Sequence, residues 1–129
     1  MTEPLADFFR LCLHTITTKP WSLAECISGY QKAGIPAITV WRNAFEKIGA
    51  AEAGKMLRDS GLRVASLCRG GFFPGATAEA RQAAIDENKR IIDEAAAIGA
   101  PLIVLVCGAV PGIDAASWAS YSPAQRADA

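Results

Sequence analysis

The clearest pattern along the chain is a glycine followed by a nearly unbroken run of apolar residues, and it occurs three times. The runs follow Gly34, Gly61 and Gly99 and end at Trp41, Cys68 and Cys107. Glycine supplies the left-handed backbone conformation at which helices stop. Continuous apolar runs are typical of parallel strands covered on both faces, whereas a solvated antiparallel strand alternates polar and apolar residues. The pattern therefore predicts a repeated helix, glycine and strand in a parallel sheet.

Helical spacing between these runs predicts the first two helices. Ser22 and Glu25 match a capping box, so we expect a helix over residues 23–33. Apolar residues recur at near-helical spacing over residues 45–60 and predict a second helix. Two glycines inside that segment, at positions 49 and 54, each weaken the helix by up to about 1 kcal/mol relative to alanine.

The third helix is predicted from Thr77, a favourable N-cap, to Ile98. Apolar residues are expected on its buried side, namely Ile85, Ile91, Ile92 and Ala95. Charged residues are expected mostly on the other side, namely Glu79, Arg81, Glu87 and Lys89. The pairs Asp86-Glu87 and Asp93-Glu94 are therefore interpreted as part of a solvated face rather than as catalytic carboxylates.

A strand over residues 10–16 completes the order βαβαβαβ. This order predicts an α/β fold, the first four β/α units of a (β/α)8 TIM barrel, a half-barrel with a parallel sheet. A closed barrel needs about 250 residues, so residues 1–129 are interpreted as one partial barrel domain truncated before strand five, with Ser122-Pro123 opening a further helix. The alternative is a small flavodoxin-like sheet, which usually has a fifth strand.

Charge and composition exclude several classes of function. Thirteen basic and thirteen acidic residues leave no net charge, so we do not expect a nucleic-acid partner. No apolar run approaches the roughly 20 residues that span a bilayer, and the N-terminus has no basic segment before an apolar one. These features predict a cytoplasmic protein without a membrane interaction. The cysteines are far apart, so we expect reduced thiols, with Cys12, Cys68 and Cys107 as small core residues.

Candidate chemistry lies where the strands end, because barrel enzymes carry their active sites at the C-terminal face. The residues expected there are His14, Trp41, Arg42, Cys68, Arg69, Gly70, Phe72 and Cys107. Two guanidinium groups could hold an anionic or polyhydroxylated ligand, and the aromatic rings could stack on a sugar. The Gly70-Gly71 pair would let backbone amides approach a ligand closely.

Each of these residues also has a structural interpretation. His14 is the only histidine, so it cannot form a metal site alone and could simply be a hydrogen-bonded structural residue. Arg42 and Arg69 could be solvated loop residues, and no neighbour obviously activates a cysteine as a nucleophile. The glycine pair lacks the spacing of a nucleotide phosphate loop. The catalytic residues therefore stay unknown, and no metal ligand is assigned.

Four segments resemble the sugar phosphate isomerase/epimerase family, the xylose isomerase-like barrels. These are Trp21-Ser-Leu-Ala-Glu25, Ala33-Gly-Ile-Pro-Ala-Ile-Thr-Val-Trp-Arg42, Gly61-Leu-Arg-Val-Ala-Ser-Leu-Cys-Arg-Gly-Gly-Phe-Phe-Pro74 and Leu105-Val-Cys-Gly108. The most specific piece is the stretch from Cys68 to Pro74. The resemblance extends to about Pro111, and the segment from Gly112 onward matches no assigned pattern.

The resemblance implies an enzyme that isomerises, epimerises or dehydrates a sugar or polyol by moving a proton beside a carbonyl. A divalent metal, Mn²⁺, Mg²⁺ or Zn²⁺, is expected in a full-length relative and would act as a Lewis acid. Its glutamate, aspartate and histidine ligands would come from later strands, so no cofactor is assigned to this chain, which is expected to be inactive alone. The family also resembles apurinic endonucleases in fold, but the neutral charge argues against DNA.

The alternative function is a non-catalytic half-barrel that binds a ligand or associates with itself. Four strands would leave barrel-facing apolar side chains uncovered, and large apolar patches seldom stay exposed on a monomer. Self-association through the open barrel face is therefore expected as a possible route to a homo-oligomer.

Overall fold

The computed structural model describes residues 7–109, in which four strands alternate with three helices. The strands are β1 (Cys12–His14), β2 (Ala37–Trp41), β3 (Arg63–Gly71) and β4 (Ile103–Val106). The helices are α1 (Leu23–Lys32), α2 (Ala50–Ser60) and α3 (Ala78–Ile98). All neighbouring strands pair in parallel, in the order β1-β2-β3-β4. The predicted topology is confirmed.

The three glycines that punctuate the sequence have the predicted conformation. Gly34, Gly61 and Gly99 have φ angles of 69°, 72° and 73°, the left-handed region that a side chain disfavours. The predicted capping box at the start of α1 is also confirmed. The Ser22 hydroxyl accepts from the Glu25 amide, and the Glu25 carboxylate accepts from the Ser22 amide.

The core lies between the sheet and the helices. Ile38, Val40 and Leu67 point from the central strands to one side and pack there with helical residues such as Tyr30 and Leu57. Alternate residues point to the opposite face, where Thr39 and Ser66 are both buried and joined by a hydrogen bond of 2.9 Å. The described part of this opposite face is therefore polar at its centre, not the continuous apolar surface that the sequence predicted.

Two element boundaries were wrong. Strand β1 covers only Cys12–His14, because Thr15–Thr18 turn into a short 3-10 helix instead of continuing the strand. Helix α2 begins at Ala50 rather than at residue 45. Gly49, with φ of 81°, breaks the backbone there, and Phe45 is buried outside the helix.

The assignment of helix faces on α3 was also partly wrong. Ile91, Ala95 and Ile98 are buried, which follows the helical spacing of four and then three residues. Ile85 and Ile92 do not fall on that stripe, and they are 42% and 57% exposed. A continuous apolar side was predicted, but only the stripe through Ile91 faces the core.

Several exposed apolar side chains lie at or next to the outer strands. Leu102 and Leu105 of the β4 segment are 65% and 56% exposed, and Phe8, Phe9 and Leu11 before β1 are exposed as well. The predicted helix start at Ser122-Pro123 lies outside the described residues. Within residues 7–109 no helix has the length and apolar character needed to span a membrane.

Candidate functional site

The predicted site residues lie at the C-terminal end of the sheet, as the topology requires. His14 ends β1, Trp41 ends β2 and Arg42 follows it directly. Arg69 and Gly70 lie in the last part of β3, and Cys107 follows β4. The parallel register pairs Trp41 with Cys68, so these strand ends lie side by side. The predicted strand-end location is therefore correct for the whole set.

His14 and Trp41 form a direct side-chain pair across β1 and β2. The indole nitrogen Nε1 of Trp41 donates to Nδ1 of His14 at 3.2 Å. The Trp41 backbone amide donates to the Thr15 hydroxyl at 2.9 Å, which fixes the strand end next to the ring. His14 is half-buried and lies in the sheet, so it is an integral part of the strand-end cluster rather than a loop residue.

Arg69 lies against two aromatic rings. Its guanidinium carbon is 5.7 Å from the centre of the Trp41 ring and 4.9 Å from the centre of the Phe72 ring. Both distances fit a cation–π interaction, worth about 0.5 to 1 kcal/mol at an exposed site. Among the residues that the structure describes, Arg69 forms no salt bridge with a carboxylate. Its charge is therefore available for a ligand oxygen.

After Arg69 the chain passes through a position, Gly71, that only glycine fits. Gly71 has a φ of 101°, and a Cβ atom there would lie 2.1 Å from the carbonyl oxygen of Val106. The following residue, Phe72, also has a positive φ of 56°. Its amide donates to the same Val106 oxygen at 2.7 Å. Gly71 therefore brings β3 and β4 close together and directs the chain into the exposed Phe72.

Asn88 on α3 shapes this segment and was missed by the sequence analysis. It is buried, and its side chain forms two hydrogen bonds with the Gly71 backbone and one with the Ala84 carbonyl. A polar residue within the buried stripe of an amphipathic helix is the sequence signal for such a partner. The signal was present, because Asn88 lies three residues before Ile91 on the same side of the helix.

Arg42 has a different environment from Arg69. Its guanidinium forms a bidentate pair with Glu94, with distances of 2.5 and 2.7 Å, and a further bond of 2.7 Å to Glu87. These carboxylates hold the pKa of Arg42 above its ordinary value, despite the opposing effect of burial. The predicted solvated role of Glu87 and Glu94 is wrong, because both fix the end of β2 to α3.

A cavity of about 580 Å³ lies beside these residues. Six of the predicted site residues line it: Trp41, Arg42, Cys68, Arg69, Gly70 and Phe72. Lys19, which the sequence analysis did not select, adds a third cation to its wall beside Arg42 and Arg69, and α3 contributes Ile91. His14 is not part of the lining and joins the group through Trp41, whereas Cys107 is exposed and apart from it.

The cysteines do not form a reactive group. Burial raises the pKa of the Cys68 thiol, and the nearby charge of Arg69 lowers it by a smaller amount. A raised pKa disfavours the thiolate that nucleophilic attack requires. Cys107 is exposed, so its predicted role as a core residue is wrong. It follows the last residue of β4, where no described element covers it.

The described residues do not fit a divalent metal. Across positions 7–109, no three histidine, cysteine, aspartate or glutamate side chains come close enough to hold one ion. Nδ1 of His14 already accepts from Trp41, and Glu87 and Glu94 are paired with Arg42. The acids and the histidine near the cavity are therefore committed to other partners.

The parallel β/α units, with their polar residues at the C-terminal strand ends, define part of a (β/α)8 barrel. The family model of the xylose isomerase-like TIM barrel matches residues 29–128, and the chain belongs to this family. The resemblance inferred from the strand segments is confirmed at that level.

A crystal structure of a Sinorhizobium meliloti protein is similar to this chain. The two are 43% identical in sequence and superpose with a TM-score of 0.75 over 81% of the present chain. The matched part is 38% of the Sinorhizobium chain, so the similarity covers well under half of that protein. No curated protein is similar enough to count as a match.

Proposed function

We propose that this chain supplies the substrate-binding side of a sugar or polyol isomerase or epimerase that moves a proton beside a carbonyl. Family membership supports the barrel framework, in which ligands bind at the C-terminal strand ends. The substrate would enter the cavity next to Trp41, Arg69 and Phe72.

The single observation that carries this proposal is the position of Arg69 against Trp41 and Phe72. A guanidinium group offers several N–H donors in a fixed plane, which suits hydroxyl, carbonyl or anionic oxygens. Aromatic rings next to it offer an apolar surface for the C–H groups of a sugar. Phe72 keeps 44% of its surface exposed, so a ligand can reach it.

Proton transfer would require groups that the described residues lack. The resemblance implies that a divalent metal and its acidic ligands belong to later strands of the complete barrel. We therefore propose that the present chain holds and orients the substrate without turning it over. Ile91 and the rings of Trp41 and Phe72 would exclude water from one side of that substrate.

A binding screen tests this proposal on the chain itself. The ligands are D-xylose, D-glucose, D-fructose and D-sorbitol, with the phosphate esters of the first three, measured by saturation-transfer NMR. We expect at least one of them to bind, and Trp41→Ala to weaken that binding at least tenfold, about 1.4 kcal/mol. Trp21→Ala is the matched control, because Trp21 lies outside the cavity. Absence of binding to every ligand, or equal loss in both variants, would overturn the proposal.

Self-association is the second candidate function, and the exposed residues of the β4 segment favour it. Leu102, Val104 and Leu105 form a run of exposed apolar side chains on an outer strand of the described sheet. A second copy of the chain could cover this run across a twofold axis. A stable interface of that kind would bury more than about 1,000 Å².

Sedimentation velocity at micromolar concentration tests the second candidate. A dimer is expected, and Leu105→Lys should convert it to a monomer, whereas Lys55→Gln on the exposed surface of α2 should not. A monomeric wild-type chain would exclude self-association as the function.

A further inference from the structure

The hydrogen bond between Trp41 and His14 has a fixed direction. An indole N–H can only donate, so Nδ1 of His14 must accept. A neutral imidazole carries one proton on one of its two nitrogens. With Nδ1 acting as the acceptor, the proton of the neutral ring lies on Nε2.

Both partners of this bond are held from other directions. Trp41 is fixed by its backbone bond to Thr15 at 2.9 Å, and one face of its ring lies below the Arg69 guanidinium. The carbonyl of His14 accepts from the Tyr30 hydroxyl at 3.1 Å. Burial raises the pKa of Tyr30, so this hydroxyl keeps the proton that it donates. These bonds fix the backbones of both residues, so the two rings start from fixed positions on neighbouring strands.

We propose that Trp41 is a positioning residue that orients His14 and fixes the tautomer of its neutral ring with the proton on Nε2, so that His14 acts as a hydrogen-bond donor to a ligand oxygen. This role rests on the proposed function only in its last step, the contact with a ligand. The orientation of His14 by Trp41 is a property of the free chain.

The assignment changes the chemistry expected of His14. In the neutral ring, a histidine that accepts at Nδ1 uses that lone pair in the hydrogen bond and cannot offer it to a metal, and its remaining nitrogen offers a proton rather than a lone pair. Arg69 lines the cavity and His14 lies next to it behind Trp41, so His14 would add one donor to those of Arg69 at the strand ends. Such a pair suits a ligand group that is rich in acceptors, such as a carbonyl with an adjacent hydroxyl or a carboxylate.

The single histidine of the chain makes a direct test possible. The ¹⁵N resonances of the imidazole and indole groups are recorded without ligand at about pH 8.5, well above the ordinary histidine pKa of about 6.5. We expect a proton on Nε2, a bare Nδ1, and a scalar coupling across the hydrogen bond between the Trp41 indole proton and Nδ1. A proton on Nδ1, or no such coupling in the wild-type chain, would overturn the proposal.

Two variants distinguish the loss of the Trp41–His14 hydrogen bond from a general effect of replacing a tryptophan. Trp41→Phe keeps a ring beneath Arg69 but removes the donor, so we expect loss of the coupling and a shift of the Nδ1 resonance. Trp21→Phe should change neither signal, because Trp21 packs over Gly29 on α1. Equal shifts in both variants would contradict the positioning role.

The wild-type coupling needs no variant, so the proposal stays testable if Trp41→Phe does not fold. It is also independent of the ligand screen. Coupling without sugar binding would refute the proposed function and support the positioning role, whereas binding without coupling would do the reverse.

Discussion

Asn88 and Gly71 form a two-way hydrogen-bonded pair between α3 and the end of β3. The Gly71 amide donates to Oδ1 of Asn88 at 2.7 Å, and Nδ2 of Asn88 donates to the Gly71 carbonyl at 2.8 Å. The pair satisfies both backbone groups of a residue that has no room for a side chain. It thereby fixes the backbone between Arg69 and Phe72, two of the three residues proposed to contact the sugar.

We expect Asn88→Leu to lower the free energy of unfolding by about 2 to 4 kcal/mol, because two buried backbone groups lose their partners. Urea denaturation measures this change. Gln82→Leu, at an exposed amide on the same helix, is the control and should change stability by less than about 0.5 kcal/mol. Equal stability of Asn88→Leu and the wild-type chain would show that the pair contributes nothing.

Gly54 provides a prediction about the packing of α2 on α3. A Cβ atom there would lie 2.0 Å from the carbonyl oxygen of Ala97. Gly54→Ala should therefore destabilise the chain by about 1 to 3 kcal/mol, even though alanine normally favours a helix over glycine. At Gly29 the added atom would meet only the exposed ring of Trp21, which can move. We expect thermal unfolding to show a clear loss for Gly54→Ala and little or none for Gly29→Ala; equal losses would contradict the packing argument.

Acid should weaken the connection between the end of β2 and α3. Hydrogen bonds from Arg90 and then from Arg42 lower the pKa of Glu87. A lowered folded-state pKa stabilises the fold above the ordinary glutamate value of about 4.3, and this contribution is lost as the pH falls through the lower folded-state value. Glu87→Gln should therefore reduce the loss of stability between about pH 5 and pH 3, measured by urea denaturation at each pH. Glu52→Gln, on the exposed surface of α2, serves as the control; an unchanged profile for Glu87→Gln would contradict the assignment.

The chain is expected to bind no divalent metal at the strand ends. No group of three suitable side chains converges among the described residues, and the nearest acids are paired with Arg42. Calorimetric titration with Mn²⁺ and with Mg²⁺ should show no stoichiometric binding tighter than about 10 μM, which corresponds to about 7 kcal/mol. Tighter binding that is lost in His14→Gln would contradict the placement of His14 as a donor.

Regular features of the sequence predicted the fold well. The strand order follows from three glycines whose conformation was inferred from local chemistry, and Thr77 caps α3 as expected. The continuation of β3 through Gly71 was not predictable in the same way. A pair of glycines is typical of a loop, and only the distant β4 and Asn88 hold this pair in a strand.

The site was predicted in location but not in the roles of its residues. Both arginines were expected to face a ligand, because each follows a strand end. The sequence could not distinguish them, because the partners of Arg42 lie about fifty residues later in the chain. Glu87 and Glu94 nevertheless carried a usable signal. They are seven residues apart, on either side of the buried Ile91, so all three share one side of the helix.

We propose that Arg69, held by Trp41 and Phe72, binds the sugar. The most direct measurement is the calorimetric affinity of Arg69→Gln for whichever sugar of the screen the wild-type chain binds most tightly. Lys55→Gln is the control, because it removes an equal charge from the exposed surface of α2. We predict at least a tenfold loss of affinity for Arg69→Gln and no loss for Lys55→Gln. The unfolding free energy of Arg69→Gln should fall by no more than about 1 to 2 kcal/mol, the contribution of its two cation–π contacts. Wild-type affinity in Arg69→Gln would contradict the proposed role of Arg69.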